Sequence, residues 1–196
     1  MRNPDGLSGY IQRFKQLIVN KKIKKVDITC SIDCWGTEQE YVRWGLDLTQ
    51  WEENFKHLLA HKWLTLNINQ TISVLTIKTM PELLVKLAKW RTEHKIGHWF
   101  GGVHPGPLYM MPHIFGDQEF VQAREDILKL MPRSNKEEEN SYQYMDGILT
   151  QSIKANFNQE QVRNLITYLD EKDRRRGTNW ESLFPWLIKY RENYVV

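Results

Sequence analysis

Residues 26–33 read Val-Asp-Ile-Thr-Cys-Ser-Ile-Asp. Apolar Val26, Ile28, Cys30 and Ile32 alternate with polar Asp27, Thr29, Ser31 and Asp33, the period of a strand with two unlike faces. The spacing predicts a strand over 25–33. A second alternation runs over 64–75, with Leu64, Leu66, Ile68, Ile72 and Val74 in one row and Thr65, Asn67, Asn69, Thr71 and Ser73 in the other. A third strand is expected over 98–104, ending at His104-Pro105-Gly106-Pro107.

Helical periods separate these strands. Leu7, Tyr10, Ile11, Phe14, Leu17 and Ile18 share one helical face. Trp51, Phe55, Leu58 and Leu59 form the stripe of a helix over 48–60. Leu83, Leu84, Leu87 and Trp90 form that of a helix over 81–94, with Pro81 at a favoured first position. Strands joined by helices of this length imply right-handed crossovers and a parallel sheet. The expected class is α/β, with three parallel strands as part of a TIM-like (β/α) barrel. An all-polar row is satisfied either on the inner wall of a ligand-filled cavity or on a solvent-exposed face. The helix beside each strand favours the cavity, because the alternative leaves a bare sheet.

Beyond residue 110 the pattern turns helical: 116–131, 158–175 and 180–190, with 132–141 expected as a charged loop around Glu137, Glu138 and Glu139. The division is therefore a sheet-bearing part over 1–110 and a mostly helical extension over 111–196.

The chain has 8 Trp, 8 Tyr and 7 Phe, which excludes a disordered chain. A net charge of +3 gives no support to nucleic-acid binding by phosphate neutralisation. Lys21, Lys22, Lys24 and Lys25, and Arg174, Arg175 and Arg176, read as solvated surface runs. No apolar run approaches the ~20 residues of a membrane span. No leader is seen before the two cysteines, so the expectation is a cytoplasmic protein without a membrane partner.

The stretch from Val26 to Gly36 resembles the fourth barrel strand and following turn of radical S-adenosylmethionine enzymes, in particular those with a twitch or SPASM-type C-terminal extension. The segment Tyr41-Val42-Arg43-Trp44-Gly45-Leu46-Asp47, succeeded by Trp51, Asn54 and Phe55, is similar to the stretch after that strand in the family. Gln70-Thr71-Ile72-Ser73-Val74-Leu75, Met80-Pro81-Glu82-Leu83 and the tail from Leu169 to Trp180 with Phe184-Pro185 also look like it. The resemblance implies the C-terminal part of such an enzyme, with S-adenosylmethionine as cofactor. Ser31, Asp33, Arg43, Asn69, Thr71 and Ser73 would contact the cofactor, and Asn67 and His104 a peptide or small-molecule substrate. Arg43 would clamp the α-carboxylate of the methionine moiety, the lesser alternative being a surface pairing with Glu38, Glu40 or Asp47.

The family's cluster motif, C-x3-C-x2-C, is missing. Cys30 and Cys34 have the first spacing but no third cysteine comes after them, and Cys34 stands where relatives carry glycine. A [4Fe-4S] cluster with an open iron needs three thiolates, so it would have to come from an N-terminal half supplied as a separate chain. The alternative expectation is a non-catalytic module binding a peptide or protein. A hydrolase built on Asp33 and His104 lacks a placed nucleophile. His57 and His61, four apart on a helix, lack a third zinc ligand, and Trp99 and Tyr109 are expected to pack.

Overall fold

The computed structural model describes residues 6–103 and 106–194, apart from the Tyr194 side chain. The order is α1 (Gly6–Val19), β1 (Val26–Ser31), α2 (Thr37–Val42), α3 (Leu48–Leu59), β2 (Leu64–Ile72), α4 (Met80–Arg91) and β3 (Ile96–Gly102). Two short 3-10 helices, Leu108–Met110 and Pro112–Gln118, lead into α5 (Val121–Leu130), α6 (Lys136–Lys154), α7 (Gln159–Arg176), α8 (Trp180–Leu183) and α9 (Ile188–Tyr194).

The three strands form one sheet in the order β1-β2-β3, both pairs parallel. This mixed α/β arrangement agrees with the expected class at the level of a small parallel sheet with helical crossovers. The register aligns Ser31 with Asn69 and Asn69 with Trp99.

Val26, Ile28, Leu64, Leu66, Ile68 and Ile96 belong to one apolar core with Ile11 of α1, Phe55 and Leu58 of α3, and Leu83, Leu87 and Trp90 of α4. All of those strand residues lie on one face, so both crossover helices pack on the same side. On the other side Asp27, Thr29, Thr65, Asn69 and Trp99 are exposed, and Ser31 and Thr71 are half-buried. Among the described residues the polar row therefore faces outward and is not enclosed. The alternation holds, but helices beside the strands cover one face only.

A second core joins Ile72, Leu75, Ile77, Met80 and Tyr41 to Ile114, Phe115, Phe120, Met145, Leu165, Leu169 and Trp180. The helical region is thus cemented to the carboxyl end of the sheet, and packing crosses residue 110. Gly116 allows the close approach of its 3-10 segment to the end of α6. Its φ is +58°, and a Cβ there would lie 2.6 Å from the Ala155 carbonyl oxygen.

The expected charged loop over 132–141 is in part the start of α6. Asn135 caps that helix, its Oδ1 accepting from the Glu138 N–H at 3.0 Å, while Glu138 Oε2 accepts from the Ser134 N–H at 2.7 Å. Glu137, Glu138 and Glu139 occupy the first turn, where negative charge is favourable. The helix expected over 180–190 is broken at Phe184-Pro185 into α8, a 3-10 turn and α9. Among the described residues no helix is long and apolar enough to cross a membrane.

Candidate functional site

The carboxyl ends of β1 and β2 carry a buried polar network centred on Asp33. β1 pairing extends one residue past its end, where the Ile32 N–H donates to the Asn69 carbonyl at 3.1 Å. Asp33 comes next, 3% exposed. Its Oδ2 accepts from Arg43 Nε at 2.7 Å, and its Oδ1 accepts from Arg43 Nη2 at 3.0 Å and from the Thr71 N–H at 2.8 Å. Its main chain is held equally firmly. The Asp33 N–H donates to Gln39 Oε1 at 2.9 Å, and its carbonyl accepts from Gln70 Nε2 at 2.7 Å.

The network runs on into the sheet. With its amide nitrogen committed to Asp33, Gln70 presents Oε1 to His98 Nε2 at 2.9 Å. His98 therefore carries its proton on Nε2 as the donor. Burial, then the nearby Arg91 charge, push its pKa down to about 3, and it stays neutral at ordinary pH. At the other end Gln39 Nε2 is buried with no hydrogen-bond partner.

This geometry redistributes the residues singled out from the sequence. Arg43 pairs with Asp33, another of the candidate cofactor contacts, and not with Glu38, Glu40 or Asp47. One edge of its fork, Nε and Nη2, is filled by a carboxylate of the chain itself, which leaves a ligand's carboxylate the Nη1 side only and a charge already paired with Asp33. Ser73 is 3% exposed and closed into a turn, its N–H donating to Thr76 Oγ1 at 2.9 Å and its hydroxyl 3.2 Å from the same oxygen. It presents nothing to a ligand. Ser31, Asn67, Asn69 and Thr71 share the open face of the sheet, although Asn67 is only 8% exposed, with Gly97 beside it. His104 lies outside the described residues.

Trp99 does not pack as expected. It is 58% exposed, in register with Asn69 on the open face. The alternation of Gly97, Trp99 and Gly101 against Ile96, His98 and Phe100 is the signal that assigns it to the polar side. Tyr109 does pack, its ring 5.3 Å from that of Tyr168. Beside β3 a cavity of about 830 Å³ is bounded by Arg91, His98, Trp99, Met131 and Lys136 among others.

Among the described residues neither the histidine pair nor the cysteines are joined by a further ligand, and no three His, Cys, Asp or Glu side chains come together as a ligand set. Cys30 is on the helix-packed face and Cys34 is fully buried, its thiol 3.6 Å from Gln39 Oε1. Burial pushes the two thiols up to about 11 and about 12, away from the thiolate that iron or zinc requires. These two residues do not fit an iron–sulfur cluster. Lysines 21, 22, 24 and 25 are exposed as expected, and Arg174 and Arg175 both pair with Glu171 at the surface. Arg176 departs from that expectation by turning its Nη1 into the protein, where it is buried without an acceptor.

Comparison with family models, with curated proteins and with solved structures finds no match to this chain.

Proposed function

We propose that this chain is a binding module, that its working surface is the open polar face of the sheet, and that the occupant is another polypeptide. The observation that carries this is one-sidedness. All-parallel sheets are ordinarily covered on both faces, yet here helices cover one and leave Thr29, Asn69 and Trp99 exposed on the other. Neutral hydroxyls and amides offer donors and acceptors together, matching a peptide main chain better than a charged ligand. An exposed indole in the same row supplies an anchor of the type that dominates protein interfaces. β1 and β3 are the edge strands of the sheet, where added backbone can pair.

The test is selection of peptides from a displayed random library against the purified chain. Selected peptides should bind wild type and lose at least about tenfold in affinity against Trp99→Ala and Asn69→Ala, changes at exposed positions that leave the fold intact. Peptides whose affinity ignores both substitutions would refute the assignment of the face.

A second reading is favoured by the chain path. Strands in sequential order with both crossovers on one side are what one wall of a (β/α) barrel requires, and the resemblance to radical S-adenosylmethionine enzymes falls on the same strands. In that reading the occupant is the rest of the barrel, from a separate chain carrying C-x3-C-x2-C and its [4Fe-4S] cluster, with a peptide or small molecule as substrate. Ser31, Asn69 and Thr71 suit hydrogen bonds to the S-adenosylmethionine ribose. Arg43, with one edge held by Asp33, has only its Nη1 side left for the carboxylate. This reading expects S-adenosylmethionine to bind the two-chain complex and not the single chain. Binding to the complex that is indifferent to Asn69→Ala counts against it.

A further inference from the structure

The Lys172 side chain on α7 is buried, with the residue 7% exposed. Its ammonium sits 3.9 Å from the centroid of the Tyr41 ring and 5.8 Å from that of Tyr168. Among the described residues no carboxylate pairs with it. One turn further on, and so on the same face of the helix, the Arg176 guanidinium lies 5.3 Å from the Trp44 ring centroid with its Nη1 buried and unpaired.

The neighbouring acids are already engaged. Asp173 accepts from the Tyr41 hydroxyl at 2.9 Å, from the Thr178 hydroxyl and from the Trp180 N–H. Glu171 holds Arg174 and Arg175, and Asp170 accepts from Trp180 Nε1 at 2.9 Å and from Arg191 at 3.1 Å. Two cations four residues apart repel each other, and burying a charged donor without an acceptor, as at Arg176 Nη1, is expensive. Aromatic faces offset part of this, but they supply no oxygen for the Lys172 ammonium or for Arg176 Nη1.

We propose that Lys172 and Arg176, backed by Tyr41 and Trp44, form a seat for a phosphate group carried by a small ligand. Two adjacent fixed charges match a divalent oxyanion better than a univalent carboxylate. Phosphate has enough oxygens to accept from the ammonium and the guanidinium at once. Arg176 is half-buried and Trp44 is 57% exposed, so a ligand approaches the seat from the Trp44 side and reaches Nη1 beneath the surface. None of the four residues belongs to the sheet, and the seat stands or falls independently of what binds the open face.

The experiment is a titration of the full chain with inorganic phosphate at pH 7, with ionic strength held constant by sodium chloride. It follows Tm and the backbone amide resonances of residues 41–44 and 171–177. Phosphate in the millimolar range should raise Tm and shift those resonances. Lys172→Met and Arg176→Gln should each weaken phosphate at least about tenfold, while Lys172→Arg keeps most of the affinity. Phosphate acting no better than chloride would overturn the proposal, and so would shifts centred elsewhere or wild-type affinity in Arg176→Gln. Equal binding of acetate would overturn the assignment to phosphate. Should Lys172→Met fail to fold, the wild-type titration and Arg176→Gln still decide.

Discussion

Arg43 closes a two-pronged ion pair onto Asp33, with Nε 2.7 Å from one carboxylate oxygen and Nη2 3.0 Å from the other. The two partners are unequally placed, the Asp33 side chain being 5% exposed and that of Arg43 35%. A guanidinium left alone can turn to water, whereas a carboxylate left alone stays buried with only the Thr71 N–H to hold it. Arg43→Met is therefore expected to destabilise the chain more than Asp33→Asn. The expected losses are about 3 kcal/mol against about 1–2 kcal/mol, the usual cost of an orphaned buried charge discounted for exposure. Urea unfolding of both variants and of the double variant measures this, and the double variant should recover part of the Arg43→Met loss.

Lys172 carries a pH signature. Burial first, and then the Arg176 charge, lower its pKa from 10.5 to about 8. Between those values the unfolded chain binds a proton that the folded chain has released, so this group makes stability rise with pH from about 8 to 10.5 and is a fixed penalty below that window. In phosphate-free buffer at pH 7, Lys172→Met should be more stable than wild type by roughly 1–3 kcal/mol. That gain should shrink as pH climbs through the window. The difference between the two denaturation profiles isolates Lys172 from Tyr41, whose pKa burial raises in the same region. A gain constant from pH 7 to 10 would exclude the buried-cation account.

Gly116→Ala joins two penalties. The left-handed φ of +58° strains any side chain, and the new Cβ meets the Ala155 carbonyl oxygen at 2.6 Å and the Phe157 nitrogen at 3.3 Å. Both contacts are backbone and cannot swing aside. The expected loss is on the order of 2–4 kcal/mol, read from Tm. Gly147→Ala in α6 is the control. A Cβ there meets nothing within 4 Å, and alanine should be neutral or stabilising by up to ~1 kcal/mol.

The start of α6 rests on Asn135. Asn135→Ala should cost about 1 kcal/mol, and Asn135→Asp very little, since Asp accepts the Glu138 N–H as well and favours the helix dipole. Hydrogen exchange at residues 136–139 would report the fraying directly, and unchanged protection in Asn135→Ala would remove the cap from the account.

Short-range physics makes much of this protein legible before any fold is known. The period of two in residues 26–33 and 64–75 and the helical stripes beside them are set within a few residues, and the structure adds local caps of the same kind, Asp47 accepting from the Gln50 N–H at 2.9 Å and Gly177 ending α7 at φ +66°. The charged run after Asn135 reads as a loop when its acidic composition is weighed before its capping spacing, and the helix there corrects that reading. Tertiary packing decided the rest. An alternating strand looks the same whether its polar row faces a cavity or water, and only the placement of α1, α3 and α4 on one side left Asn69 and Trp99 exposed. Asp33 and Arg43 each stand out in the sequence, but their union depends on α2 folding back over the end of β1. Lys172 is invisible among the charges of its helix, since its burial against Tyr41 comes from a residue far away in the chain. Backbone period and caps are local free energies written in adjacent residues, whereas burial and pairing are set by which distant surfaces meet.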